Sequence, residues 1–332
     1  MSPLRLAVAA AALAGMVALV VWRGPSWSLL LDAFAAVRWE WIAAALLLNL
    51  VSIVVRAVAW TTVIDQAMPP PHPRFRSIFS AFSIGLLGNA ALPGRIGELA
   101  RVAVLANRLP RRQGLWATLA GTVFAHRVFD LVAVVGLVLY VVLNAEIPGW
   151  LRTSLTAFMA FGGGAIVASV LLARRHHLSA LDEEAGRVRR LVTMARHGLG
   201  VMHAPLAAAG AVGFQALGWI CQFFAVYAAL RAFQIDEPFV VAGVVLLVMN
   251  VATVFPLWPG NVGLMQAAVA LALVPYGIAY AHGFGFGLGL QAIEASVGIG
   301  LGLLFLAREG LSFASLREMP EVSYADRARV SG

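Results

Sequence analysis

The chain has 332 residues, 61% of them hydrophobic and only 12% charged. A soluble domain is about 45–50% apolar and about 25% charged, so this composition excludes a water-soluble enzyme or nucleic-acid-binding domain and points to an integral membrane protein. The net charge of +8 comes from Arg alone, since the chain has no Lys. The missing Lys reads either as GC-rich coding or as a preference for bidentate phosphate contacts.

A membrane-crossing helix needs roughly 20 mostly apolar residues. In chain order, the first candidate is 6–22, after Arg5. It reads as an uncleaved span rather than a removed leader, because no small-x-small site follows it. The second is 39–63, where Arg56 lies late enough either to snorkel to the interface or to serve a function. The apolar stretch 78–91 is too short to cross and runs into Pro93-Gly94. Spans 115–143 and 154–173 follow, then a polar connector, 174–204, with six Arg and the acids Asp182, Glu183 and Glu184. That connector reads as solvated, with an amphipathic helix on anionic lipid as the alternative. Spans 205–230, 238–255 and 283–306 complete the set, and a second short stretch, 262–274, leaves Pro259-Gly260. The expected fold class is an all-α polytopic membrane protein: about seven transmembrane helices plus two re-entrant or broken hairpins. The whole of 1–332 reads as one membrane domain, with 308–332 as a tail. Arg clusters in 101–112 and 174–204 set those regions, and by counting both termini, on the cytoplasmic side of a bacterial cell membrane.

The two breaks are alike. Pro93 to Gly97 reads PGRIG, and Pro259 to Gly263 reads PGNVG. After the first comes HRVFD, with Arg127 and Asp130 inside a span; at a similar distance after the second comes QAIE, with Gln291 and Glu294. The halves are 39–143 and 205–307. Three spans separate the hairpins, so the second enters from the opposite face, an inverted repeat of the kind that builds a midplane site. Asn89, Pro93, Gly94 and Gly97 form the first candidate break, and Pro259, Gly260, Asn261 and Gly263 the second. Proline removes a backbone donor, and freed backbone groups are tolerated at membrane depth only inside protein or beside a wet cavity. Helices restarting at Ile96 or Val262 aim their amides at whatever occupies that cavity, and an anion suits them. A plain tight turn is the alternative, above all for the second copy, because 238–255 nearly spans alone.

A charge at mid-bilayer costs at least ~2.5–3.5 kcal/mol, so each one needs a reason. Arg127 and Asp130 are three apart on one helical face, with His126 beside them; they form either a structural clamp or a headgroup site. Arg95, Glu98 and Arg101 also share a face and leave a positive surplus, though Arg101 is the most readily read as a solvated surface charge. Glu294 has no partner nearby in sequence and must find Arg or a hydrogen-bond donor, or be protonated. Gln215, Gln222, Asn250, Gln266 and Gln291 read as interhelical hydrogen-bonding residues, and the Gly-rich last span as a close-packing helix. The candidate lipid headgroup site is thus Arg95, Glu98, Arg101, Arg127, Asp130 and Glu294. No nucleophile motif, metal-ligand cluster or phosphate-binding loop stands out, Cys221 is the single cysteine, and no enzyme activity, metal or cofactor is expected.

The stretches NAALPGRIGELARVAVL, FAHRVFDLVAVVGLVLY and FPLWPGNVGLMQAAVALAL together resemble the lysylphosphatidylglycerol synthase transmembrane region family over about 39–306. The resemblance implies movement of phospholipids, aminoacylated lipids or other lipid-linked anions between leaflets, with Pro93, Gly94, Gly97, Glu98, Arg101, Arg127, Asp130, Pro259, Gly260 and Gly263 at motif positions. Two departures stand out. The resemblance implies a Glu shortly after the last Gly of the second motif, and Gln266 stands near that place, so a charge is missing or Glu294 substitutes for it. The soluble synthase domain is absent, so synthesis of lysyl-lipid is not expected. The function expected is a flippase-like lipid translocase, the alternative a non-transporting scaffold for a lipid-modifying enzyme. The expected partners are the membrane and a phospholipid or lipid-linked anion, with no nucleic acid; a homo-oligomer or a lipid-synthase partner is left open.

Overall fold

A computed structural model describes residues 34–91, 96–110, 114–145, 147, 149–174, 204–254 and 261–310. The expected span 6–22, most of the connector 174–204, the tail beyond 310 and the break residues Pro93, Gly94, Arg95, Pro259 and Gly260 lie outside the described residues. All regular structure among the described residues is helical. The helices are α1 (Trp39–Ala67), α2 (Phe75–Ala91), α3 (Gly97–Ala106), α4 (Leu115–Asn144), α5 (Gly149–Arg174), α6 (Pro205–Ala232), α7 (Phe239–Val254), α8 (Leu264–Leu273) and α9 (Tyr280–Arg308).

Five of them, α1, α4, α5, α6 and α9, are long and apolar enough to cross a membrane. The chain is a multi-pass membrane protein. The segment 238–255, counted in sequence among the spans, is a 16-residue helix. At 1.5 Å per residue it rises about 24 Å, short of a hydrocarbon core of about 30 Å. It therefore pairs with α8 as the short arm of a hairpin, as α2 pairs with α3.

The helix lengths run 29, 17, 10 and 30 residues for α1–α4 and 28, 16, 10 and 29 for α6–α9. Packing follows the same pattern. α1 lies along α6, α2 packs on α9 as α7 packs on α4, and α3 packs on α4 as α8 packs on α9. The second hairpin reaches the close approach it needs through glycine on α9: a Cβ on Gly283 or Gly287 would sit 3.0 Å from the α8 backbone at Ala270 or Gln266. The buried core has two main centres. One joins Leu230, Val241, Leu246 and Phe286 of the second half; the other joins Trp60, Ile78, Ile84 and Leu119 of the first. α5 stands outside this pattern and packs mainly along α4.

Candidate functional site

The two hairpins and the four long helices α1, α4, α6 and α9 enclose a cavity of about 780 Å³. Every described helix except α5 lines it.

The first hairpin reaches the cavity through an unusually close crossing. A Cβ on Gly97 would collide with the carbonyl oxygen of Gly85 and lie 2.5 Å from the Asn89 nitrogen. Glycine is thus the only residue that lets α3 start against the end of α2. That contact brings Glu98 and Arg101 to the cavity wall, one turn apart on α3.

Arg101 is not a solvated charge. It is 4% exposed. Its guanidinium carbon lies 4.8 Å from the ring centre of Trp60 and 5.5 Å from that of Phe82. Trp60 is itself anchored, its Nε1–H donating to Thr122 Oγ1 of α4 at 3.1 Å. The Nε and one terminal nitrogen of Arg101 have no hydrogen-bond partner among the described residues. Burial of unpaired donors is costly, and two of the Arg101 donors are buried in this way.

Arg127 is the opposite case. Its Nη1 donates to Asp130 Oδ2 at 2.9 Å, and its Nη2 pairs with Glu98 across the α3–α4 contact. The other Asp130 oxygen accepts from Gln215 and, at 3.0 Å, from Trp219 Nε1, both on α6. His126 Nδ1 stands 3.9 Å from the same carboxylate, and its Nε2 lies 3.3 Å from the Arg56 carbonyl oxygen of α1. One network thus ties α1, α3, α4 and α6 together around Asp130.

Glu294 of α9 lies in the same cavity, away from that network. Its Oε1 accepts from Gln222 Nε2 of α6 at 2.5 Å. Ser52 of α1 steadies this corner, donating to the Gly218 carbonyl oxygen at 2.8 Å and lying 3.4 Å from Gln222 Oε1. The second break is held by polar side chains. Asn261 Nδ2 donates to the Ala252 carbonyl oxygen at 2.8 Å, the Gly263 N–H donates to Gln266 Oε1 at 2.6 Å, and Gln266 Nε2 pairs with Gln291. Gln266 is fully buried and closes the start of α8 through its contact with the Gly263 amide.

Of the sequence candidates, Glu98, Arg101, Arg127, Asp130 and Glu294 all line the one cavity, with Asn89, Gly97 and Asn261 at its rim. Gly263 caps α8 at a left-handed φ of +91°. Arg56 was read as a surface-seeking residue no less than a functional one, and it too lines the cavity. Helix α1 continues to Ala67, past the expected end at 63. About 17 Å of helix therefore follows Arg56. It stacks over Trp219 at 4.8 Å, and Gly218 gives it room: a Cβ there would lie 2.6 Å from Arg56 Cγ. Its Nε has no hydrogen-bond partner among the described residues. The sequence signal for this site is a tryptophan inside each of the apolar helices α1 and α6. Tryptophan is the best aromatic face for a cation, and each of the two carries an arginine.

The described lining residues hold three Arg and three acids. Only Arg127 is matched with carboxylates; Arg56 and Arg101 rest on aromatic faces. No group of three or more potential metal-binding side chains occurs among the described residues.

A helical, multi-pass membrane protein with two short hairpins and a charged, half-apolar cavity between them is the class these features define. The chain belongs to the lysylphosphatidylglycerol synthase TM region family, which it matches over residues 4–314, and with it to membrane proteins of lipid handling. No curated protein and no solved structure matches it.

Proposed function

We propose that this protein is a flippase-like translocase that carries a phosphate-bearing lipid between the leaflets of a bacterial cell membrane, without covalent change to the lipid. The observation that carries this reading is Arg101, a buried cation with unpaired donors on the wall of a cavity of about 780 Å³. A phosphate oxygen is the acceptor that fits a guanidinium fork. Arg56 offers a second cation on the same cavity. Arg127, already matched by Glu98 and Asp130, serves to hold α3 against α4 and so to position Arg101. In this reading the headgroup crosses through the cavity while its acyl chains remain among lipid. The apolar lining from Leu246, Met249 and Leu288 suits the first carbons of those chains.

The matched lengths and reciprocal packing of α1–α4 and α6–α9 support an inverted repeat within a single membrane domain, with α5 as the odd span that reverses the second half. With the Arg-rich regions inside, both termini are cytoplasmic.

The test is transfer of acyl-labelled phospholipid in proteoliposomes of the purified chain. Wild type is expected to move lipid between leaflets, and Arg101→Gln to slow it about tenfold or more while eluting as a folded species. Glu98→Ala and Arg127→Ala are expected to slow it less, by loosening the same wall. Lipid moved at the wild-type rate by all three variants would overturn the site; no movement by wild type would leave a scaffold for a lipid-modifying enzyme as the better reading.

A further inference from the structure

The cavity holds an unmatched pair of opposite charges. Glu294 accepts one hydrogen bond, from Gln222, and no cation lies within ion-pair distance of it among the described residues. Arg56 stacks on Trp219, one turn before Gln222 on the same face of α6, and no carboxylate pairs with it. The two side chains thus rest on neighbouring turns of α6 without forming an ion pair: Arg56 on the Trp219 ring and Glu294 on Gln222. Burying opposite charges side by side and unpaired is expensive, unless something that carries both signs fits between them.

Building on the translocase reading, we infer that the cavity is a site for a zwitterionic headgroup. The phosphate lies toward Arg56 and Arg101, and a primary ammonium lies on the Glu294 carboxylate. Arg101 lines the same cavity, and Glu294 is the described cavity acid with no arginine in ion-pair contact. Asn250 and Gln291, also on the lining, are polar and carry no charge. An ammonium of three donors satisfies a carboxylate that has one oxygen committed to Gln222 and the other open. A purely anionic headgroup would instead meet Glu294 as a repulsive element, and that gives selectivity.

The experiment compares three acyl-labelled probes in proteoliposomes of the full chain: phosphatidylethanolamine, its N-acetylated form and phosphatidylglycerol. Retention of each lipid on the detergent-purified protein is read by native mass spectrometry. Wild type is expected to retain and move the free amine about tenfold better than the N-acetylated lipid. Glu294→Gln, which keeps the size and the contact with Gln222, is expected to abolish that preference. Glu294→Asp is expected to retain part of it. Equal handling of the amine and its N-acetylated form by wild type overturns the inference, and it does so without depending on the folding of a variant. So does a Glu294→Gln protein that keeps the preference. Selective retention without movement upholds the headgroup assignment and overturns translocation instead. Glycerophosphoethanolamine without acyl chains is expected not to displace the bound lipid; displacement at equal concentration would overturn the lipid and leave a soluble zwitterion as the ligand.

Discussion

The two halves of the molecule share a skeleton and differ in charge. Counting from the start of each long helix, Arg56 on α1 stands where Gln222 stands on α6. Arg127 and Asp130 on α4 fall within one residue of the positions of Gln291 and Glu294 on α9. The first half thus carries Arg56, Glu98, Arg101, Arg127 and Asp130 into the cavity, and the second carries Glu294 with a set of amides. Helix lengths and packing partners answer to membrane thickness and to glycine placement, which both halves need. Charge is not shared in this way and is gathered on one wall of the cavity. Helices of matched length build the cavity, and the difference in charge between the two sets gives it a polarity.

The comparison can be broken most severely at the hairpin glycines. Gly97→Leu places a side chain where the α2 backbone runs and is expected to destabilise the protein by about 4 kcal/mol or more. Gly263→Leu meets open space and only the strain of a positive φ, about 1–2 kcal/mol; thermal unfolding in detergent, followed by fluorescence-detected gel filtration, ranks the pair. Next comes the acid on each side. Asp130→Ala strips a carboxylate from Arg127, Gln215 and Trp219 and is expected to cost about 3 kcal/mol. Glu294→Ala should lower stability by less than about 1 kcal/mol, and equal losses for the two would erase the difference between the walls. Gln266→Met removes the acceptor for the Gly263 amide and is expected to cost about 1 kcal/mol in the same assay, between the losses for Asp130→Ala and Glu294→Ala.

Much of this was legible in the sequence. The long spans 115–143 and 205–230 were within two residues of α4 and α6 at each end, because unbroken apolar runs leave a helix no competitor. The span 238–255 was counted as crossing because hydropathy registers apolar length, whereas its role follows from Asn261 and Gln266 securing the far side of the break. The grouping of Glu98, Arg127 and Asp130 could be anticipated from their cost in lipid. Their pairing with Gln215 and Trp219 could not, since residues on separate helices are joined only by the packing of α6. Arg101 was underrated for the same reason: its helix is amphipathic enough to look superficial, and the aromatic shelf beneath it comes from α1 and α2.

The arginine resting on Trp219 has a consequence for how the protein is made. During synthesis α1 leaves the ribosome and enters the bilayer long before α6 exists to receive its charge. A lone arginine at that depth resists insertion by ~2.5–3.5 kcal/mol, and α1 is the most apolar of the five crossing helices, so its other side chains can carry the charge in unaided. Helix α6 is the least apolar of the five and has the largest buried share. It is suited to arrive late, into a groove already lined with α1 and α4, so biogenesis runs from a self-sufficient helix to a dependent one.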